Sequence, residues 1–275
     1  MSSGERLVFV GGLHRSGTTP LAHALAQHPE VSGLTGTGVP HDEGQHLQTV
    51  YPKAKVYAGS GHFAHAPQAH LTEASPLVTE ENAQRLLEAW TPYWDLERPF
   101  LLEKSPPNLI MGRFLQALFP GSALIVVVRH PVVVALSNKK WRRLVSRNVR
   151  RYSSVGSLVG HWIRAHEILL EDAPHLQRLH LVRYEDLVDR PEEELARIQE
   201  LLGLSTPIPT GTLADSHSER YEQQWEAMAS PLRLGAAQRR LISRRFGQAI
   251  ADFGYDVDDL HHRGDWPDTL PLVGA

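Results

Sequence analysis

A glycine-rich turn near the start of the chain constrains its fold more than any other feature. The apolar residues 7–10 lead into two glycines, and residues 15–19 then read Arg-Ser-Gly-Thr-Thr before a helical pattern at 20–26. Glycines let a backbone approach an anion, and the first N–H groups and the dipole of a helix favour negative charge. The stretch therefore predicts a strand, a phosphate-binding turn and a helix. Without that strand and helix, the same residues would be an ordinary glycine-rich turn.

The turn departs from the P-loop of nucleoside triphosphatases at a decisive position. A P-loop needs Gly-Lys-Ser/Thr, because its lysine contacts the β- and γ-phosphates. Here Thr18 follows Gly17, and the cation, Arg15, comes two residues before the glycine. A P-loop kinase of nucleosides or small molecules, which would also need a Mg²⁺ site, is therefore the weaker alternative for this turn.

Composition excludes several classes of protein. With 275 residues, of which 41% are hydrophobic, the chain can form one α/β domain or two small ones around a sizeable core. It has no cysteine, so it forms neither a disulfide framework nor a zinc–thiolate site, and its net charge of −3 provides no basic field for nucleic acid. No apolar run approaches the ~20 residues of a membrane span, and the first residues lack the pattern of a signal peptide. We expect a cytoplasmic protein that binds neither nucleic acid nor membrane.

Strands and helices alternate along much of the chain. Apolar runs predict strands at 8–10, 100–103, 123–128 and 179–182, and helical patterns predict helices at 18–28, 79–94, 106–119, 155–172, 191–202, most of 230–253 and after Pro131. This alternation predicts the α/β class, with a central parallel sheet and helices on both faces. Residues 31–98 have weak periodicity, so we expect an insertion of loops and short helices that covers the active site of a single domain spanning 1–275.

Two further motifs lie at the ends of predicted strands. Arg129 follows the strand at 123–128, and Ser137 comes eight residues later in the next helix. Ligands of open α/β sheets bind at such carboxyl ends, and an Arg fork and a hydroxyl suit a second phosphate. The alternative is a strand-end arginine and an interior serine of a helix. Residues 183–187 read Arg-Tyr-Glu-Asp-Leu, and Leu-Leu-Gly follows at 201–203.

Together, these three ordered motifs resemble those of sulfotransferases that use 3′-phosphoadenosine 5′-phosphosulfate (PAPS), in the bacterial and tyrosylprotein-sulfotransferase-related branch. The resemblance covers residues 7–30 and 100–204 and implies a P-loop-like sulfotransferase fold, PAPS as cosubstrate and no metal. It also implies that the donor's 5′-phosphosulfate is held by Arg15, Ser16, Gly17, Thr18 and Thr19. Arg129 and Ser137 would hold the 3′-phosphate, and Tyr184 would belong to the same nucleotide site. His130 replaces an aspartate that is common in the family, which we interpret as tolerated.

Sulfonyl transfer needs a cation at the reacting group and an acceptor for the hydroxyl proton. Lys104 directly follows the strand predicted at 100–103. The resemblance implies that Lys104 contacts the transferring sulfonyl group. Lys104 and Arg15 would then neutralise the negative charge that develops on the bridging oxygen. The alternative is a surface lysine. For the base we predict Glu43, then Asp42, then His41, although Asp42 and Glu43 could simply begin a helix. His70 and Glu73 are further candidates.

Two polar stretches have ordinary explanations. Residues 41–70 contain five histidines, but a metal site needs three or four converging ligands, so we expect these side chains to line an acceptor pocket or to face solvent. Residues 139–151 are rich in Lys and Arg. A solvated face is the simplest reading, although the stretch could also attract the donor, an acidic acceptor or a carrier protein.

The sequence therefore predicts a metal-independent sulfotransferase. Its acceptor is a molecule with a hydroxyl group, and the varied segment 31–98 favours a small or medium natural product over a protein or glycan. A non-catalytic module that binds the nucleotide and docks a partner through its basic stretch is the alternative from another class. Such a module would bind 3′-phosphoadenosine 5′-phosphate (PAP) without turnover.

Overall fold

Five parallel strands form one central sheet. The computed structural model describes residues 4–142, 152–211, 213, 219–230 and 234–267. In chain order, the strands are Leu7–Gly12 (β1), Val31–Gly33 (β2), Phe100–Lys104 (β3), Ala123–Val128 (β4) and Leu179–Arg183 (β5). Their order across the sheet is β2-β3-β1-β4-β5, and all neighbouring pairs are parallel. The predicted α/β class is confirmed, with β1 in the middle of the sheet.

Helices connect these strands. The α-helices among the described residues are Thr18–Ala26 (α1), Glu80–Trp90 (α2), Gly112–Leu118 (α3), Pro131–Arg142 (α4), Val155–Asp172 (α5), Tyr184–Asp189 (α6), Pro191–Leu202 (α7), Glu219–Ala227 (α8) and Leu234–Ala251 (α9). A series of short 3₁₀ turns lies between residues 40 and 69, and a longer 3₁₀ segment spans Pro106–Ile110.

Helices pack on both faces of the sheet, which explains why the central strands β1 and β4 read as continuous apolar runs. Successive side chains of a strand point to opposite faces. Phe9 of β1 belongs to the core cluster that contains Trp162 of α5, whereas the preceding Val8 belongs to the cluster that contains Leu21 of α1 and Ile198 of α7. Helices therefore cover both faces, as predicted.

Several helix boundaries agree with the sequence. Helices α5 and α7 begin and end at the predicted residues. Helix α2 follows Thr79, whose hydroxyl accepts a hydrogen bond of 3.1 Å from the Asn82 N–H, so the predicted cap is present. This helix ends at Trp90 and continues as a 3₁₀ turn, Thr91–Tyr93. Helix α1 ends at Ala26, two residues before the predicted end, and α8 was not predicted.

The prediction of one helix over 106–119 is wrong. A 3₁₀ segment comes first, and α3 begins only at Gly112. The side-chain amide of Asn108 donates to Val10 O (3.2 Å) and to the Glu103 carboxylate (2.6 Å), which holds this segment tightly against β1 and β3. Met111 then leaves the helical region of backbone conformation, with φ of −127°.

Residues 31–98 are more ordered than loops and short helices alone. Strand β2 lies within this segment and pairs with β3, and its three residues are too few to show a strand pattern in the sequence. The segment is also anchored in the core. Trp90 is fully buried against Phe9 and Trp94, and its indole N–H donates to Gly44 O at 3.1 Å.

No helix among the described residues is both long enough and apolar enough to cross a lipid bilayer.

Replacement of Thr79 by alanine is expected to destabilise the protein. Loss of an N-cap hydroxyl leaves a helix N–H without its partner, which costs about 1 kcal/mol of the free energy of unfolding. Urea unfolding followed by circular dichroism measures the change. Thr79→Ser keeps the hydroxyl and should stay close to wild type, whereas equal loss in both variants would show that the cap contributes nothing.

Candidate active site

The carboxyl ends of the three central strands, β3, β1 and β4, lie side by side. β1 lies between β3 and β4, with Val10 beside Lys104 and Gly12 beside Val127. Strands β2 and β3 lie on one side of β1, and strands β4 and β5 lie on the other side, so the strand order reverses at β1. Open α/β sheets bind ligands in the crevice outside the carboxyl ends of the strands at such a point. Three features predicted from the sequence lie at the ends of these strands, namely the turn at residues 15–19, Lys104 and Arg129.

The turn after β1 has the form that anion binding requires. Gly17 caps α1 with φ of 104°, a conformation that glycine adopts without strain, and a Cβ atom there would overlap the ring of Tyr184. No side chain caps the N-terminus of α1, and no acidic residue lies in its first turn. Among the described residues, the fully buried Ser16 hydroxyl has no hydrogen-bond partner. These groups fit a phosphate or sulfonate oxygen, which would supply the missing acceptors.

The second motif contacts this turn directly. Arg129 is buried and donates to Arg15 O at 3.1 Å, and the Nε of Arg15 donates to the Ser137 hydroxyl at 3.0 Å. The amide of Asn138, which sequence reasoning missed, donates to His14 O at 2.9 Å. Arg129 and Ser137 are thus more than a strand-end arginine and an interior serine, because both touch the predicted phosphate-binding turn.

The third motif supports the other two. The ring of Tyr184 lies 4.1 Å from the Arg129 guanidinium and packs beneath Gly17. Glu185 accepts from the His130 N–H at 2.9 Å, and its second oxygen receives the Tyr255 hydroxyl at 3.2 Å. Burial raises the pKa of Glu185. Tyr184 therefore supports the phosphate-binding turn, and Glu185 links the end of β4 to Tyr255.

His130, which stands where the resemblance predicts an aspartate, has a structural role. Burial lowers its pKa to about 4, so the ring is neutral. Its Nε2 donates to Asp256 O at 2.9 Å, and its Nδ1 accepts from the Val132 N–H at 3.2 Å. The imidazole thereby fastens the segment after Gly254, which sequence reasoning treated only as a loop, to the end of β4.

Lys104 and Glu43, the predicted cation and the predicted base, meet in the crevice. Nζ of Lys104 lies 3.3 Å from Oε1 of Glu43 and donates to His41 O at 2.9 Å. Both side chains are buried, at 4% and 6% exposure. Burial acts to raise the pKa of Glu43, but the hydrogen bond from His46 and the charges of Lys104 and His14 together lower it to about 2. Glu43 is therefore ionised at neutral pH.

The other candidates for the base either lie outside the crevice or make hydrogen bonds to other residues. The Asp42 carboxylate accepts from both the backbone N–H and the hydroxyl of Thr37, and His41 reaches Lys104 with its carbonyl while its side chain is exposed. His70 and Glu73 are held in a separate cluster with Arg113 and Asp172. The structure favours Glu43, although its role as the base stays a prediction.

The histidine-rich segment packs against α5. The rings of His62 and His65 lie 5.1 Å apart, His62 contacts Tyr152 at 3.8 Å, and His65 lies 5.8 Å from His161. Within the described ranges, no three His, Asp or Glu side chains converge as metal ligands. Most of the basic stretch 139–151 lies outside the described residues.

Glu103 is a residue of the site that sequence reasoning missed. It lies one position before Lys104 in β3 and is fully buried. Burial raises its pKa to about 7, while hydrogen bonds from Ser105 and Asn108 oppose that rise. The signal was present in the sequence, because Glu103 is an acid that directly follows the apolar residues 100–102 of β3, but its partners come from tertiary contacts.

Residues 8–207 match the profile of a family described as the sulfotransferase family. The chain belongs to this family. A protein-tyrosine sulfotransferase from Drosophila melanogaster is 25% identical over 276 residues, covering 92% of this chain and 50% of that protein. The chain spans about half the length of the curated protein-tyrosine sulfotransferases that it matches.

Other relatives are bacterial. The omega-hydroxy-beta-dihydromenaquinone-9 sulfotransferase Stf3 of Mycobacterium tuberculosis is 24% identical over 318 residues, covering 98% of this chain and 79% of that protein. The solved structure of sulfotransferase STF9 from Mycobacterium avium superposes with a TM-score of 0.54 at 16% identity, covering 96% of this chain and 79% of that one. The predicted sulfotransferase fold is therefore confirmed.

The contact between Lys104 and Glu43 can be tested without any ligand. Lys104→Met removes the positive charge but keeps the length of the side chain, so burial of Glu43 is less opposed and its pKa should rise above about 2. Carbon-detected NMR titration of labelled glutamate carboxyl groups measures this pKa. Lys55→Met removes an exposed lysine of the same segment and should leave the titration of Glu43 unchanged. The same titration curve in Lys104→Met and wild type would contradict the contact.

Proposed function

We propose that this protein transfers a sulfonyl group from PAPS to the hydroxyl of an acceptor molecule. The observation that carries the proposal is the arrangement at the ends of β1, β3 and β4. A phosphate-binding turn that lacks the P-loop lysine lies with the Arg129 and Ser137 pair after β4 and with the buried Lys104–Glu43 ion pair at β3. Membership of the sulfotransferase family supports the same reading and does not favour a kinase.

The donor site is proposed on the chemistry of its side chains. The turn from Arg15 to Thr19 would hold the 5′-phosphosulfate, for which the buried Ser16 hydroxyl and the uncapped start of α1 are suitable donors. Arg129 and Ser137 would hold the 3′-phosphate. The ring of Tyr184 would keep the Arg129 guanidinium in place, since it stacks beneath it.

The reacting groups divide between Lys104, Arg15 and Glu43. The acceptor oxygen forms a bond to sulfur while the bond from sulfur to the bridging phosphate oxygen breaks, and the electron pair stays on that oxygen. Lys104 and Arg15 would stabilise this charge, and Glu43 would take the hydroxyl proton. When Lys104 turns to the sulfonate, Glu43 loses part of its counter-charge and its pKa rises, which makes it a stronger base at the moment of transfer.

For the acceptor, we propose a small or medium molecule with a hydroxyl group. One mycobacterial relative is named for a menaquinone derivative, whereas the fruit-fly relative is named for protein tyrosine. The segment 31–98 provides Glu43 and also Phe63, whose ring packs against His14 and His161, so we propose that this segment covers the acceptor site of a single domain. A carrier protein that presents the acceptor is compatible with this arrangement.

PAP is expected to stabilise the protein, whereas ATP–Mg²⁺ is not. PAP at ~100 times its dissociation constant should add ~2.7 kcal/mol to the free energy of unfolding, measured by thermal unfolding with EDTA in the PAP samples and excess Mg²⁺ in the ATP samples. Arg129→Ala should weaken PAP by about 10- to 100-fold, the value of a hydrogen bond to a charged group, while AMP, which lacks the 3′-phosphate, should change little.

Two outcomes would contradict this assignment. Equal or greater stabilisation by ATP–Mg²⁺ would favour the kinase, and equal loss of PAP and AMP in Arg129→Ala would remove Arg129 from the 3′-phosphate. PAP binding without transfer from labelled PAPS to any acceptor in a screen of phenols and alcohols would favour the non-catalytic module. Turnover that EDTA abolishes and a divalent ion restores would show that a metal is required.

Glu43→Gln should retain PAP binding and lose most turnover. The amide keeps the shape of the side chain and can still accept from Lys104, but it cannot take a proton, and general-base catalysis contributes ~10²–10⁴-fold. Sulfonyl transfer from labelled PAPS to the best acceptor of the screen measures the loss. Asp42→Asn, a matched change at the adjacent residue, should cost much less. An active Glu43→Gln beside an inactive Asp42→Asn or His41→Ala would assign the base to a different residue.

A further inference from the structure

A line of buried hydrogen bonds joins β3 to the loop that carries Glu43. The hydroxyl of Ser105 donates to Oε1 of Glu103 at 2.5 Å and accepts from the Gln45 backbone N–H at 2.9 Å. All three residues are almost completely buried, at 0%, 0% and 1% exposure. Hydrogen bonds among buried groups are costly to break, because water does not replace the lost partner.

Gln45 continues this line to the carboxylate of Glu43. Its Nε2 donates to Oε2 of Glu43 at 2.7 Å, and its Oε1 accepts from the Ala54 N–H at 3.1 Å. The two contacts fix the orientation of the amide, because a flipped amide would place its oxygen against the carboxylate and its NH₂ against the Ala54 N–H. Gln45 therefore has a single favourable arrangement.

Gly44 brings the loop into close contact with β3. A Cβ atom at this position would lie 2.5 Å from Oε1 of Glu103, and Gly44 O accepts the Trp90 indole N–H. The loop therefore packs directly on the buried carboxyl group, with no space for a side chain between them. Glu103 itself is tied to β1, since its Oε2 accepts from Asn108, which also donates to Val10 O.

The consequence is that the two oxygens of Glu43 have different surroundings. Oε2 is held by the Gln45 amide and lies 3.5 Å from His46, whereas Oε1 faces Lys104 at 3.3 Å. We propose that Gln45, anchored through Ser105 to Glu103, is a positioning residue that fixes Oε2 and turns Oε1 of Glu43 toward the acceptor hydroxyl. This inference rests on the proposed function, in which Glu43 is the base.

The test compares Gln45→Met with Gln48→Met. Gln48 is a matched control, since it is 2% exposed and the four hydrogen bonds described for its side chain join backbone groups of Gln45, Val50 and Tyr51 rather than Glu43. Gln45→Met should lower kcat by about 10- to 100-fold, because it removes a hydrogen bond to a charged group, while the KM for PAPS and the affinity for PAP stay near wild type. Gln48→Met should change kcat by less than about threefold, although both variants lose stability.

Two further measurements separate positioning from a purely structural role. Gln45→Met should raise the pKa of Glu43, measured by NMR titration of its carboxyl carbon, because the Gln45 hydrogen bond helps to lower that pKa. Gln48→Met should leave the pKa of Glu43 unchanged.

Added to Glu43→Gln, the Gln45→Met change should cost little further activity, since it acts through Glu43. If Gln45→Met does not fold, Ser105→Ala, which removes the acceptor of the Gln45 N–H, is measured in the same way.

The possible failures are distinguishable. Wild-type protein that transfers no sulfonyl group to any acceptor overturns the proposed function and this inference with it. Active wild-type protein with near-normal kcat in Gln45→Met, or with equal losses in Gln45→Met and Gln48→Met, overturns only the positioning role. Additive losses in the double variant would likewise show that Gln45 acts independently of Glu43.

Discussion

Parallel pairing of β1 with both β3 and β4 is the constraint on which the site depends. Because the three strands run in one direction, their carboxyl ends lie at one edge, and the register sets Lys104 beside Val10 and Val127 beside Gly12. Each functional group then needs only a short connection to reach the crevice. A shift of β3 by one residue would turn Lys104 to the other face and move Glu103 to its place.

The buried Lys104–Glu43 pair is stable only because each charge compensates the other. Removing two charges from water costs several kcal/mol for each ion, and attraction offsets this cost only when further hydrogen bonds are made. Here His41 O takes a bond from Lys104, and Gln45 and His46 lie at Glu43. A buried pair of this kind contributes little to net stability. It keeps an ionised carboxylate and an ammonium group desolvated side by side, where the proposed negatively charged donor would have a strong effect on both.

Sequence patterns predicted the parts of the fold that depend on local chemistry. The turn at Arg15–Thr19, the Thr79 cap and helix α5 depend on neighbouring residues, so they could be identified from spacing alone. Strand β2 was missed because its three residues gain their structure from pairing with β3. The line of buried hydrogen bonds from Glu103 to Gln45 was missed for a related reason, since Gln45 and Ser105 are separated in the sequence by 60 residues and meet only in the folded chain.

Two glycines show how the separate halves of the site are brought together. At Gly17, the phosphate-binding turn lies directly on Tyr184, and at Gly44, the loop of the predicted base lies directly on Glu103. In both places the missing Cβ lets one segment touch a side chain of another, so the position of each loop is set by contact rather than by its own backbone preference. The distance between the phosphate-binding turn and the loop of Glu43 is therefore set by the sheet, because Tyr184 follows β5 and Glu103 lies in β3. That arrangement suits the proposed sulfonyl transfer, in which the nucleophile, sulfur and leaving oxygen must lie in line, because misplacement of either loop by about 1 Å would cost about 10²-fold in rate.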